Sequence, residues 1–385
     1  MKLLMVSGTF GLQHDGRPSS VAEEIWKSLN TRFWGKHNLH VRGGDFNKLK
    51  AAHRDLKGQQ WDIVVWMPHV PDNELEKLRN VKEILPHCVL VTSKRNDNEK
   101  YSVQDMVAHA LGLRSNLFIE FSKDEQGQVM GRLFDPLGNL WHESDCLASL
   151  GEVLGWRIEQ LTKFTRVGSR GFGTEFGLQP PEEHPFYGVV KAHADRFHEL
   201  IHPAEGVTRF LGNASFRCSF GFPSMRLNDL IYMSRRNMDK RLLGQHGFVA
   251  VVPGTGNPYE QVVYFGEGKP SVDTPIQRFL YWYYPNLRHM MHSHTYIDNV
   301  DLPRLKMGDR PYLGGTKEAI PCGALEEAYA IVHLFPDRGM KFLAMNLKGH
   351  GSLVATDSIE DFQRVSYKAR PVPEKMETMG WKKDS

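Results

Sequence analysis

Three short strings in the second half of the chain hold side chains that could share one metal ion. They are His292-Ser293-His294, Gly349-His350-Gly351 and Lys269-Pro270-Ser271-Val272-Asp273. Three imidazoles suit zinc or another divalent transition metal. With a carboxylate beside it, such a site can polarise a carbonyl and stabilise the enediolate formed when a sugar carbon–carbon bond breaks. The His-x-His pair is weak evidence alone: 18 histidines in 385 residues give roughly 0.8 such pairs by chance.

Its setting says more. Residues 286–297 lie between Pro285 and the polar Asp298-Asn299 turn and read as a strand. Strand side chains alternate, so His292 and His294 share a face, while His289 falls on the other with Met291 and Ser293. Other users of the motif fit poorly. A metallo-β-lactamase-like site needs Asp and His where Tyr296 and Ile297 stand, and a cupin needs a Glu where the nearest acid is Asp298. An amidohydrolase carries the pair near the start of a long barrel, whereas here it comes late.

From about Tyr187 to Phe362 the chain resembles the class II aldolase/adducin superfamily, in motif order as well as content. Gly212-Asn213-Ala214-Ser215-Phe216-Arg217 looks like the family's Gly-Asn-x-Ser-x-Arg. Ile231-Tyr232-Met233-Ser234-Arg235 resembles its phosphate loop, and Pro270-Ser271-Val272-Asp273 its Pro-Ser-Ser-Glu. Phe279–Pro285 is similar to the tyrosine- and proline-containing stretch before the His-x-His, and Gly349-His350-Gly351 to the motif of the third ligand. The resemblance implies an α/β domain with His292, His294 and His350 on a metal and Asp273 as catalytic acid/base. It also implies Asn213, Ser234, Arg235 and Ser271 on the substrate, and a homo-oligomer that could be a tetramer. Tyr312 lies near where the family supplies a proton-donating Tyr from a neighbouring subunit.

The departures define alternatives. Asp273 is one methylene shorter than the family's Glu, and Val272 replaces a serine of the phosphate pocket. Arg235 stands where the family has Gly; it can hold a phosphate or carboxylate through two donors, or be a solvated loop residue. Asp273 precedes Thr274-Pro275, so it can equally cap a helix. Asn213 follows Gly212, and Asn is common in such turns for backbone reasons alone. The resemblance therefore implies an aldolase or epimerase acting on a sugar or sugar phosphate, possibly nucleotide-linked, or else a non-catalytic, adducin-like assembly module.

Residues 1–165 alternate apolar runs with amphipathic stretches, the pattern of a Rossmann-like or flavodoxin-like domain with a parallel sheet. Strands are predicted at 2–6, 39–41, 62–67, 88–92 and 116–121, and helices at 18–29, 72–84, 103–111 and 146–161. A hairpin follows the fifth strand, over 127–140. The first strand runs into Ser7-Gly8-Thr9-Phe10-Gly11, a loop where a nucleotide or phosphate could sit, or a plain strand-to-helix connection. His69, after another strand, could line the same crevice or sit in a plain Pro-bounded loop. A nucleotide-handling transferase with its activity in this half is thus a third reading. Residues 166–186 read as a linker, 187–362 as the aldolase-like domain and 363–385 as a tail with little secondary structure.

A formal net charge of +3, from 48 basic and 45 acidic residues, gives no footprint for nucleic acid. No apolar run is long enough to span a membrane, and the start carries no signal-peptide pattern. Cys88, Cys146, Cys218 and Cys322 lack metal or disulfide spacing, so a cytoplasmic protein with reduced thiols and a small-molecule substrate is expected.

Overall fold

A computed structural model describes residues 1–11, 19–35, 37–58, 60–67, 81–174, 177–205, 207, 211–218, 230–302 and 313–377. The chain is α/β throughout and divides into two units, Met1–Lys163 with Val372–Ser385, and Phe164–Pro371. Among the described residues no helix is long and apolar enough to cross a membrane.

The first unit is built on β1 (Leu3–Gly11), β2 (Leu39–Asp45), β3 (Ile63–Trp66), β4 (Val89–Arg95) and β5 (Leu117–Lys123). These five pair in parallel in the order 2-1-3-4-5. That is the flavodoxin-like order, not the 3-2-1-4 of the dinucleotide-binding fold. Antiparallel β6 (Val129–Phe134) and β7 (Asn139–Ser144) extend the sheet as the expected hairpin. Helices are α1 (Ser20–Arg32), α2 (Phe46–Gly58), α3 (Val81–Ile84), α4 (Val103–Gly112) and α5 (Leu147–Lys163). Continuous apolar runs such as Ile63-Val64-Val65-Trp66 are buried throughout, as a sheet covered on both faces requires.

Two local expectations change. The first strand does not end at Val6 in a Gly-rich loop. It runs to Gly11, because a bulge between Ser7 and Phe10, with Gly8 at φ 93°, lets Phe10 and Gly11 pair with Gly44 and Asp45. Helix α2 was not anticipated; it is mostly polar, with Ala52 and Leu56 buried. Residues 72–80 of the predicted second helix, and His69, lie outside the described residues.

The second unit holds β8 (Ser169–Phe172), α6 (Pro185–Ile201), β9 (Asn213–Cys218), β10 (Leu230–Ser234), β11 (Phe248–Val251) and β12 (Val262–Phe265). After these come α7 (Thr274–Tyr283), β13 (His289–Ser293), β14 (Tyr296–Val300), β15 (Leu313–Gly315), α8 (Leu325–Leu334), β16 (Phe342–Leu347), β17 (Gly351–Thr356) and β18 (Val365–Lys368). Nine strands form one sheet in the order 15-16-17-13-9-10-11-12-8, antiparallel except at its two ends. Alternation along the strands makes two cores. Phe216, Tyr232, Met291 and Val354 pack with Phe186, Val190 and Phe197 of α6. On the other face Ile231, Met233, Met290 and Leu353 pack with Ile276, Leu280, Ala328 and Ile331 of α7 and α8.

In the segment read as a tail with little secondary structure, the described residues 363–377 hold two short strands. β18 pairs with β14, and β19 (Glu374–Lys375) adds to β7 in the first unit. Buried Val365, Tyr367 and Met376 explain why: their apolar side chains stabilise the backbone that carries them.

Candidate metal centre

The centre forms where β13 ends. His292 is the fourth residue of that strand and points to the α7/α8 face with Met290. The strand stops at Ser293, so His294 lies in a bend rather than in the extended run expected from sequence. Ser293 creates the bend: its hydroxyl accepts from the Thr295 N–H at 3.3 Å and meets the Thr295 hydroxyl at 2.7 Å. The two imidazoles still converge, with ring centroids 5.0 Å apart. His350 arrives from the turn between β16 and β17, where its N–H donates to Leu347 O at 2.9 Å. Its ring lies 4.5 Å from that of His292 and 5.4 Å from that of His294. One potential ligand atom from each of the three lies within 4.8 Å of the others, so the set can hold one metal ion.

Glycines permit this approach. A Cβ on Gly351 would sit 1.9 Å from Ser293 O, and one on Gly212 would sit 1.9 Å from His292 O. Both glycines have positive φ, 144° and 84°. The glycines of the two recognised motifs are therefore required by backbone crossing at the end of β13.

Polar partners fix the rings. His292 Nδ1 donates to Ser352 O at 2.9 Å, and its Nε2, on a ring 3% exposed, has no hydrogen-bond partner among the described residues. A buried lone pair left open while the opposite N–H binds a carbonyl is the disposition of a metal-bound imidazole. Burial, with His350 nearby, pushes the His292 pKa down to about 4, and burial with both neighbouring histidines pushes His294 well below its ordinary value. Both rings are thus neutral, as ligands must be. His350 Nδ1 meets Oε2 of buried Glu327 at 2.9 Å, and its Nε2 lies 3.0 Å from Cys322 Sγ. Burial works against a charged His350, but Cys322 and Glu327 outweigh it and raise its pKa well above normal. Burial raises the Glu327 carboxyl in turn, with His350 opposing. The two neutral imidazoles and the open His292 Nε2 fit a divalent transition ion, which would take the place of the proton that Cys322 and Glu327 favour on His350.

Asp273 lies near enough to His292 to act on its charge. It occupies the cap position of α7 but makes no capping bond to the helix. Its Oδ2 instead accepts from Asn213 Nδ2 and its Oδ1 from the Gly323 N–H, each at 2.7 Å. Asn213 Oδ1 accepts from Gln277 Nε2, Gln277 Oε1 accepts from the Ser215 hydroxyl, and Ser215 Oγ lies 3.0 Å from the Tyr281 hydroxyl. All five of these side chains are buried. The chain of bonds fixes which way the Asn213 amide faces.

The remaining sequence candidates are placed differently. Ser234 is fully buried and its hydroxyl accepts the Ala214 N–H at 3.0 Å, tying β10 to β9. Ser271 accepts the Asp273 N–H at 3.3 Å. Arg235 donates to His246 O at 3.1 Å and lines a pocket of about 250 Å³ with Gln179, Gln245 and Glu267; none of the three histidines lines it. Tyr312 lies outside the described residues. In the first unit, Ser7 Oγ lies 2.7 Å from His40 Nε2, while Gly8, Thr9 and Gly11 continue β1. Cys322, Glu327 and Gln277 were not anticipated. Pro321-Cys322-Gly323 was a readable turn signal, but Glu327 in the first turn of α8 resembles any helix-start acid.

No family model matches the chain, and no curated protein matches it. Among solved structures it is similar to the DNA/pantothenate metabolism flavoprotein from Streptococcus pneumoniae. The identity is 12%, covering 42% of this chain and 99% of that one, with a TM-score of 0.34. It is also similar to the N-terminal class II aldolase domain of a conserved protein from Thermoplasma acidophilum. There the identity is 18%, covering 48% of this chain and 91% of that one, with a TM-score of 0.29.

Proposed function

We propose that the chain is a metal-dependent aldolase or epimerase that acts on a sugar or sugar phosphate by retro-aldol chemistry. The observation that carries this reading is the convergence of His292, His294 and His350, with a buried Asp273 near enough to His292 to act on its charge and with its two oxygens held separately. When bound, a divalent transition ion such as zinc supplies electrophilic stabilisation for negative charge developing on substrate oxygens.

The chain's own groups do the rest. His292 Nδ1, bonded to Ser352 O, and His350 Nδ1, bonded to Glu327, leave one nitrogen of each ring for the ion. Asp273 moves the proton at the carbon that becomes nucleophilic when the bond to the aldehyde breaks. Asn213 and the Gly323 N–H hold its carboxylate in one orientation, and Gln277 keeps the Asn213 amide from flipping. An aldolase releases the aldehyde; an epimerase lets it rotate and rejoin, using the same residues.

Zinc-loaded protein incubated with a panel of ketoses and ketose phosphates tests this reading. Aldehyde release or epimer formation is expected, lost in both Asp273→Asn and His292→Ala. A zinc-replete protein that produces neither from any of these sugars would defeat it.

A further inference from the structure

We propose that Cys322 is a fourth protein ligand of the metal centre, completing a set of three nitrogens and one sulfur. The proposal rests on the metal reading above. Cys322 Sγ lies 3.0 Å from His350 Nε2. Because Nδ1 of that ring is engaged by Glu327, Nε2 is the nitrogen left for an ion, and an ion bound there arrives beside the sulfur. Independently, the buried His292 Nε2 makes no hydrogen bond among the described residues and belongs to the same converging set.

The cysteine is presented from a pinned turn. The Ala324 N–H donates to Pro321 O at 3.2 Å, and Gly323 takes φ 76° at the left-handed position of the turn. The Gly323 N–H binds Asp273, and a Cβ at 323 would meet Val272 O at 2.9 Å. One tight turn therefore sets both the acid/base candidate and the thiol.

Cys322 touches the donor set through His350 alone, since the ligand atoms that lie within 4.8 Å of one another are those of the three imidazoles. In a tetrahedral zinc site nitrogen and sulfur ligands stand about 3.6 Å apart, so the sulfur would have to move off His350 Nε2 and toward the other two imidazoles to join them. On binding, the S–H bond breaks, the sulfur electron pair forms the bond to the metal, and the proton leaves to solvent. The sulfur tilts the site toward zinc and cobalt and away from magnesium and manganese. A substrate oxygen would then need a fifth position or the place of the sulfur.

Titrating metal-free full-length protein with cobalt(II) tests the donor set. The expected spectrum has the visible bands of four-coordinate cobalt together with a sulfur-to-cobalt charge-transfer band in the near ultraviolet. Cys322→Ser should keep the former and lose the latter. X-ray absorption on the zinc-loaded wild type needs no variant, and should place one sulfur at about 2.3 Å. Visible bands without the charge-transfer band, or a charge-transfer band that survives in Cys322→Ser, overturn the role of Cys322 and leave the three-histidine centre standing. No uptake of cobalt or zinc overturns both.

Discussion

Glu327 Oε2 stands 2.9 Å from Nδ1 of His350, with both side chains buried. The carboxylate fixes the tautomer and ring orientation that leave Nε2 for an ion. Removing the charge while keeping the shape should weaken metal binding without deleting a ligand. Glu327→Gln is expected to lower zinc affinity about 10–100-fold. Competition with a chelating indicator measures it, and an unchanged affinity would mean that the pair does not support the metal.

Asp273 accepts two hydrogen bonds from donors that cannot reverse: the Gly323 N–H and an Asn213 amide held by Gln277. Asp273→Asn puts an NH₂ group against one of these donors in a buried site. A cost of about 1–3 kcal/mol is expected for the unsatisfied pair, seen as a lower Tm. Zinc stoichiometry should stay at the wild-type value, because the three imidazoles are untouched. Loss of zinc together with stability would instead make Asp273 part of the ligand set.

Much of this centre was legible in the sequence because its devices are local. The glycines at 212 and 351 and the histidines at 292 and 350 sit in short motifs, and backbone crossing accounts for their spacing. The five parallel strands were legible for a similar reason, since buried apolar runs bounded by polar turns leave little choice of element. What escaped is long-range. Cys322 and Glu327 reach His350 only through folding across β16, and no spacing rule links them to a histidine. The His292–His294 pair was read as strand alternation, yet the Ser293–Thr295 hydroxyl contact bends the chain there. Ser234 and Arg235 were paired as one loop, but Ser234 ends β10, buried and bonded to Ala214 of β9, while Arg235 lies just past the strand and lines a separate pocket.

Backbone crossing at β13 gives a sharp contrast between two glycine substitutions. Gly351→Ala would place a methyl 1.9 Å from Ser293 O at φ 144°. It should cost about 3 kcal/mol or more and abolish zinc binding with it. Gly188, exposed in α6 with nothing within 4 Å of a Cβ, is the opposite case. Gly188→Ala should stabilise the chain by about 0.5–1 kcal/mol. Chemical denaturation of both variants measures the difference, and similar midpoints would contradict the crossing geometry.

Acid stability should depend on His289, which the same strand turns away from the metal. Its ring packs against Phe186 at 5.0 Å and His184 at 6.0 Å, and burial together with His184 pushes its pKa down to about 4. In the unfolded chain the ring titrates near its ordinary 6.5. Between these values the unfolded state binds more protons, so stability rises with pH. The contribution is present in full above 6.5 and is lost as pH falls toward 4. Since the ring is partly exposed, screening limits the loss to about 1–3 kcal/mol. Replacing it with an apolar ring removes the titration and keeps the packing. Metal-free His289→Phe should therefore show a flatter Tm between pH 6.5 and 4 than the metal-free wild type. Parallel profiles would show that protonation of this ring does not drive the acid transition.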